Sequence, residues 1–103
     1  MIHVIAAIRA KDGQLESLTA AFRMIVARTR EKAGCIEYGL AVHLPSGLPG
    51  QAPFDPNELV VIEKWIDLDA LNAHISDPEY RAWFAGLWHQ VAGASMQILN
   101  VVG

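Results

Sequence analysis

Cysteine is nearly absent from this chain of 103 residues, which contains only Cys35. A single cysteine excludes a disulfide within the chain and a metal site of the CxxC type. Positive charge is also scarce, since eight Lys and Arg stand against eleven Asp and Glu, a formal net charge of −3. Proteins that bind nucleic acids through their phosphates need a basic surface, so we expect no nucleic-acid partner.

Long apolar runs are missing as well, and so is any cationic segment before the short apolar N-terminus. We therefore expect neither membrane insertion nor a signal peptide. The lone cysteine fits a reducing compartment, and the sequence predicts a cytoplasmic protein.

The chain carries none of the motifs GxGxxG, P-loop, HExxH or GxSxG. Its histidines are scattered and do not form a metal-ligand cluster by spacing. They are His3, His43, His74 and His89. We expect no bound metal.

Apolar residues, in contrast, are abundant, at 52% of the chain. The length allows one domain, residues 1–103, with one thin core. This much apolar surface in a small chain is expected either to pack against a second copy or to line an apolar pocket.

Periodicity divides the chain into alternating elements. Short apolar or alternating runs predict strands over residues 2–8, 35–44, 58–66 and 96–102. Leu15, Leu18, Phe22, Ile25 and Thr29 share one face of a helix that should end at Ala33 and Gly34. The strand alternation over residues 35–44 places Cys35 and Tyr38 on opposite faces.

A second helical region follows the third strand. Asp67 is a candidate N-cap, and Ser76-Asp77-Pro78 predicts a restart of the helix. An apolar and aromatic face then continues from Tyr80 to Val91, before Gly93 breaks it.

The predicted order β-α-β-β-α-β is that of a ferredoxin-like α+β fold. Both faces of the predicted sheet are largely apolar, so we expect helices on one face and a partner sheet on the other. Residues 45–57 hold four of the five prolines and cannot form a regular element. A loop of this length is expected to be a lid or an arm that reaches the partner subunit.

Two residues could carry chemistry, one in the third strand and one in the helix that follows it, and each has two interpretations. Trp65, with Glu63 on the same face, is either a core tryptophan beside a carboxylate or the wall of an aromatic-substrate pocket with an N–H donor. His74 is either a half-buried structural histidine or a general base or donor to a substrate oxygen.

The other aromatic residues are ambiguous in the same way. Tyr38, Tyr80, Trp83, Phe84 and Trp88 fit core packing, and they also fit the lining of a pocket.

Five segments together resemble the antibiotic biosynthesis monooxygenase domain, in the order that the family has them. They are VIAAIRAKDGQ, AGCIEYGL, VVIEKW, DLDALNAH and DPEYRAW, and they span nearly the whole chain. The set formed by Gly34-Cys35 with Tyr38, Glu63-x-Trp65 and the later His74 is the most specific part. The quinol monooxygenase branch is most similar, because it also has a long insert between the second and third strands.

The resemblance implies a homodimeric α+β barrel in which two ferredoxin-like units pack sheet to sheet. It also implies oxygenation of a quinol or hydroxylated aromatic substrate by dioxygen, without flavin, haem or metal. Carried over to this chain, His74 and Trp65 match pocket positions and are the predicted catalytic residues. The predicted substrate-binding residues are Tyr38, Glu63, Tyr80, Trp83 and Phe84.

Two alternatives stay open. One is a dimeric module that binds an aromatic ligand without turnover. The other is a haem-degrading monooxygenase, but that branch has an asparagine on its first strand, where this chain has Ala6 and Ala7.

Overall fold

A four-stranded antiparallel sheet organises the fold in the computed structural model, which describes all 103 residues. The elements in chain order are β1 (Ile2–Ala10), α1 (Leu15–Arg30), β2 (Cys35–Val42), β3 (Glu58–Trp65), α2 (Leu68–Ser76), α3 (Pro78–Ala85) and β4 (Val91–Asn100). A turn of 3₁₀ helix, Trp88–Gln90, leads into β4. The strand order β2-β3-β1-β4 confirms the predicted ferredoxin-like α+β class.

The core lies between one sheet face and the helices. Beneath α1, Phe22 packs among residues of β1, β2 and β3, such as Val61. Beneath α2, a second cluster joins Val4 of β1, Trp65 of β3 and Leu71 of α2. The buried part of this face lies mainly on β1 and β3 and carries both core clusters, whereas β4 is buried only at Val91.

Local capping chemistry sets the helix boundaries that the sequence predicts. The Asp67 carboxylate accepts the Ala70 backbone N–H at 2.9 Å and begins α2. The Asp77 carboxylate accepts the Glu79 N–H at 3.0 Å and begins α3, with Pro78 in the first turn. The predicted restart at Ser76-Asp77-Pro78 is confirmed.

The boundary between α3 and β4 differs from the prediction. The expected helical face runs on to Val91, but α3 ends at Ala85 and Val91 already pairs with Ala10 of β1. The last strand thus begins five residues before the predicted start at Met96. Pairing with β1 along β4 competes with the local helical pattern and prevails here.

A bulge in β2 changes which residues share a face. Cys35 pairs with Trp65 and Glu37 with Lys64, which leaves Ile36 as an extra residue in the strand. Cys35 consequently lies on the helix-covered face with Tyr38, and the prediction that they face opposite ways is wrong.

The other sheet face is open in the single chain. Ile5 of β1 pairs with Ile62 of β3, and the neighbouring His3 pairs with Leu99 of β4, so these side chains share that face. Ile62 and Leu99 are 42% and 45% exposed. The helices leave this apolar surface uncovered.

The loop of residues 45–57 contains no helix or strand, as predicted. Gln51 donates from Nε2 to the Leu44 carbonyl at 2.7 Å, and Asp55 donates its N–H to Nδ1 of His43 at 3.1 Å. These bonds fold the loop back on its own ends. Across the whole chain, no helix combines the length and the apolar character that a membrane crossing requires.

Candidate functional site

The end of β3 places two of the predicted site residues side by side. Glu63 and Trp65 alternate onto the helix-covered face, where they are 6% and 0% exposed. The Trp65 indole donates from Nε1 to Glu63 Oε1 at 2.9 Å. The indole N–H predicted to donate to a substrate therefore already donates to Glu63 within the protein.

His74 on α2 lies directly above this pair. Its ring stacks on Trp65 with centroids 4.9 Å apart and planes at 22°. Tyr80 of α3 contacts it at 4.3 Å, and Tyr38 of β2 approaches edge-on at 6.0 Å. The structure thus gathers five predicted site residues from four elements into one buried aromatic cluster.

A cation that the sequence did not single out completes the cluster. Lys32, just beyond the end of α1, places Nζ 2.9 Å from His74 Nδ1 and 3.0 Å from Asp77 Oδ2. The same Nζ lies 5.3 Å from the centre of the Tyr80 ring.

Burial dominates the electrostatics of the cluster. It lowers the pKa of His74 to about 4, with the Lys32 charge acting in the same direction and Asp77 against it. It raises the pKa of Tyr80 to about 12, and Glu63 adds to that rise. Burial also raises the pKa of Tyr38, and it raises that of Glu63 against the opposing Trp65 hydrogen bond. At neutral pH the imidazole and both phenols are therefore uncharged.

A cavity of about 730 Å³ opens between α3 and the β1–β4 side of the sheet. Nine of its eleven lining residues are hydrophobic, so it suits an apolar ligand of drug-like size. The lining comprises Ala6, Ile8, Ile75, Tyr80, Arg81, Phe84, Ala85, Trp88, Ala94, Ser95 and Met96. Tyr80 belongs to both the buried aromatic cluster and the cavity wall, because its ring contacts His74 and also lines the cavity.

The seven predicted site residues are therefore distributed unevenly. Tyr80 and Phe84 line the cavity, whereas the catalytic candidates His74 and Trp65 are 2% and 0% exposed and lie behind Tyr80. Trp83 packs edge-on against Phe22 of α1, with centroids 5.0 Å apart. No loop residue lines the cavity, and no three His, Cys, Asp or Glu side chains come together as a metal site requires.

Sequence reasoning missed Lys32 and most of the cavity wall. Lys32 lies at a helix C-terminus, where cations are common, so the sequence does not mark it as a site residue. Arg81 lies on the flank of the aromatic helical pattern, and only the position of α3 opposite β4 brings it to the wall. No local signal marks the β4 side of the cavity.

Comparison with known proteins points to one family. The family model described as antibiotic biosynthesis monooxygenase matches residues 1–86. The "Probable quinol monooxygenase YgiN" of Escherichia coli K12 is 30% identical over 102 residues, covering 97% of each chain.

Solved structures agree on the fold. PA3566 from Pseudomonas aeruginosa is 25% identical with a TM-score of 0.81, and the match covers 99% of this chain and 94% of that one. Rv0793 from Mycobacterium tuberculosis is 22% identical with a TM-score of 0.81, covering 99% and 95%.

Proposed function

Because the chain belongs to the antibiotic biosynthesis monooxygenase family, we propose that it oxidises a quinol or polycyclic hydroxy-aromatic substrate with dioxygen, without a cofactor. The observation that carries this proposal is the apolar cavity, whose aromatic wall includes Tyr80 in contact with the buried His74. The similarity to a relative named as a probable quinol monooxygenase supports the same substrate class.

The reaction needs a substrate that supplies all the electrons. A deprotonated quinol passes one electron to dioxygen, which gives a semiquinone radical and superoxide. The two combine at a ring carbon that bears hydrogen, and the resulting peroxide takes up a proton. Loss of water then leaves a new carbonyl, so one oxygen atom enters the product and the other leaves as water.

The protein's part is to bind the ring, exclude water and stabilise developing negative charge. The apolar wall serves the first two purposes. Tyr80 keeps its proton at neutral pH and can donate to an anionic oxygen, and Arg81 adds a positive charge to the wall. His74, directly behind Tyr80, is the proposed base or anion donor.

The cavity is tested by filling it. We expect Ala85→Trp, on the cavity wall, to abolish most substrate-dependent oxygen uptake because the indole occupies the ligand volume. Ala82→Trp, an exposed position on the same helix outside the wall, is the matched control and should retain activity. Uptake is measured with dihydroxynaphthalenes and an anthrone, with no added flavin or iron.

The outcomes separate the competing functions. Tight ligand binding without oxygen uptake would instead indicate a binding module. Turnover only with added flavin or metal would remove the cofactor-free mechanism. Haem titration tests the haem-degrading alternative, which the structure does not favour because Ala6 in the cavity wall offers no amide donor.

We also propose a homodimer formed through the open sheet face, with the loop of residues 45–57 reaching the partner. A second copy would cover the apolar surface around Ile62 and Leu99.

Light scattering should give about twice the chain mass of 11.3 kDa. Ile62→Glu should yield a monomer, because it buries a charge in the interface. Met24→Glu, 84% exposed on α1 and on the opposite side of the sheet, should stay dimeric. A wild-type monomer at micromolar concentration would contradict the assembly.

A further inference from the structure

Lys32 connects the end of α1 to the two helices that carry the site. Its ammonium contacts His74 Nδ1 on α2 and Asp77 Oδ2 at the start of α3, and it lies over the Tyr80 ring. The side chain is 21% exposed, so these contacts form in a largely desolvated position.

The direction of the Lys32–His74 hydrogen bond follows from the chemistry of the two groups. An ammonium has three donors and no acceptor, so Nδ1 has to accept. A neutral imidazole that accepts at Nδ1 carries its proton on Nε2. The contact at 2.9 Å therefore selects one tautomer of His74.

Asp77 fixes Lys32 in this geometry. Its Oδ1 accepts the Glu79 N–H as the cap of α3, and its Oδ2 accepts from Lys32 at 3.0 Å. The helix cap and the lysine thus hold each other, so that Nζ is kept within reach of the imidazole.

We infer that Lys32 is a positioning residue, which holds His74 as the neutral Nε2–H tautomer and makes it a hydrogen-bond donor rather than a base. For the reaction this inference rests on the proposed function. In this role His74 stabilises negative charge that develops on a substrate in the cavity, either directly or through Tyr80. A different group then has to accept the substrate proton.

The other titratable groups around His74 are compatible with this assignment. Tyr38 and Tyr80 stay neutral because burial raises the pKa of each phenol. Glu63 is hydrogen-bonded to the Trp65 indole. Asp77 is the one group that raises the pKa of His74, and Lys32 opposes it.

Histidine ¹⁵N NMR of the folded protein without substrate tests the tautomer directly. The wild-type His74 should show the Nε2–H pattern at neutral pH. In Lys32→Met we expect a mixture of tautomers and a His74 pKa raised by about one unit or more, because the positive neighbour is gone. Lys32→Arg, which keeps a donor and a charge, should restore the Nε2–H form.

Arg28→Met is the matched control. Arg28 also joins α1 to α3, through an ion pair with Glu79 at 2.6 Å, but it does not contact His74. This variant should keep the wild-type tautomer and pKa, which separates a loss of helix bridging from a loss of the Lys32 contact. Circular dichroism confirms that each variant is folded.

A wild-type Nδ1–H tautomer, or a folded Lys32→Met variant with an unchanged tautomer, would overturn the inference. Turnover provides a separate readout: Lys32→Met should lower kcat more than it changes KM. If the tautomer responds as expected but the wild-type protein oxidises no quinol, the proposed function fails and the role of Lys32 in setting the tautomer stands.

Discussion

Replacing Gly34 by alanine is expected to lower the free energy of unfolding by about 2–5 kcal/mol, from backbone strain and overpacking together. Gly34 has φ +80°, a conformation that a side chain disfavours. A Cβ atom there would lie 2.5 Å from Ala70 Cβ and 2.8 Å from Ile66 Cγ2. The Gly34 carbonyl also accepts the Ile66 N–H at 2.8 Å, so the backbone cannot move away freely.

Urea denaturation measures this effect, and Gly13→Ala is the matched control. Gly13 has nearly the same φ, +78°, but no atom lies within 4 Å of its added Cβ. It should therefore lose only the backbone term of about 1–2 kcal/mol. Equal losses in the two variants would show that the contact with α2 is not tight. Because Ala70 is one turn from His74, the Gly34 variant should also lower turnover.

The helix starts could be predicted because their causes are local. Asp67 and Asp77 cap helices through N–H groups only two or three residues away, and Pro78 favours a first helical turn. The helical period of α1 likewise identifies Phe22 as buried. Each of these signals can be recognised within one short segment of the sequence.

Features set by strand pairing could not be predicted in the same way. The alternation from Cys35 onward has no local signal for an extra residue at Ile36, and only the register against Trp65 and Lys64 reveals the bulge. The residues before Val91 also continue a helical spacing. Only the neighbouring β1 decides that Val91 starts a strand.

The candidate site also combines features that the sequence predicts locally with features that depend on packing. Glu63 and Trp65 could be paired from their strand spacing, and both the sequence pattern and the family resemblance predict His74 as a candidate. The Trp65–Glu63 hydrogen bond, the burial of His74 and the contact with Lys32 depend on packing between α1, α2 and β3. The cavity is equally non-local, because Met96 of β4 and Phe84 of α3 line the same space only in the folded chain.

Replacing His74 by alanine should lower quinol-dependent turnover by ~10²-fold or more, the lower end of what an acid–base or donor group contributes. The His74 ring lies between Trp65 and Tyr80, so its loss removes both the polar group and the support of the Tyr80 ring. Oxygen uptake gives the rate, and circular dichroism checks that the variant is folded. A folded His74→Ala protein with wild-type turnover would remove His74 from the mechanism.

His74→Gln distinguishes the two roles that His74 could have. A glutamine amide can donate from a position close to imidazole Nε2, but it cannot accept a proton as a base. If His74 is a donor, this variant should retain activity within about tenfold of wild type, since it replaces one neutral hydrogen bond with another. If His74 is the base, the turnover of the glutamine variant should fall as far as that of the alanine variant. The neutral imidazole has a pKa of about 4, a poor match for a base at neutral pH, and Lys32 occupies Nδ1. We therefore expect the glutamine variant to stay active and to keep its turnover as the pH rises from 6 to 8.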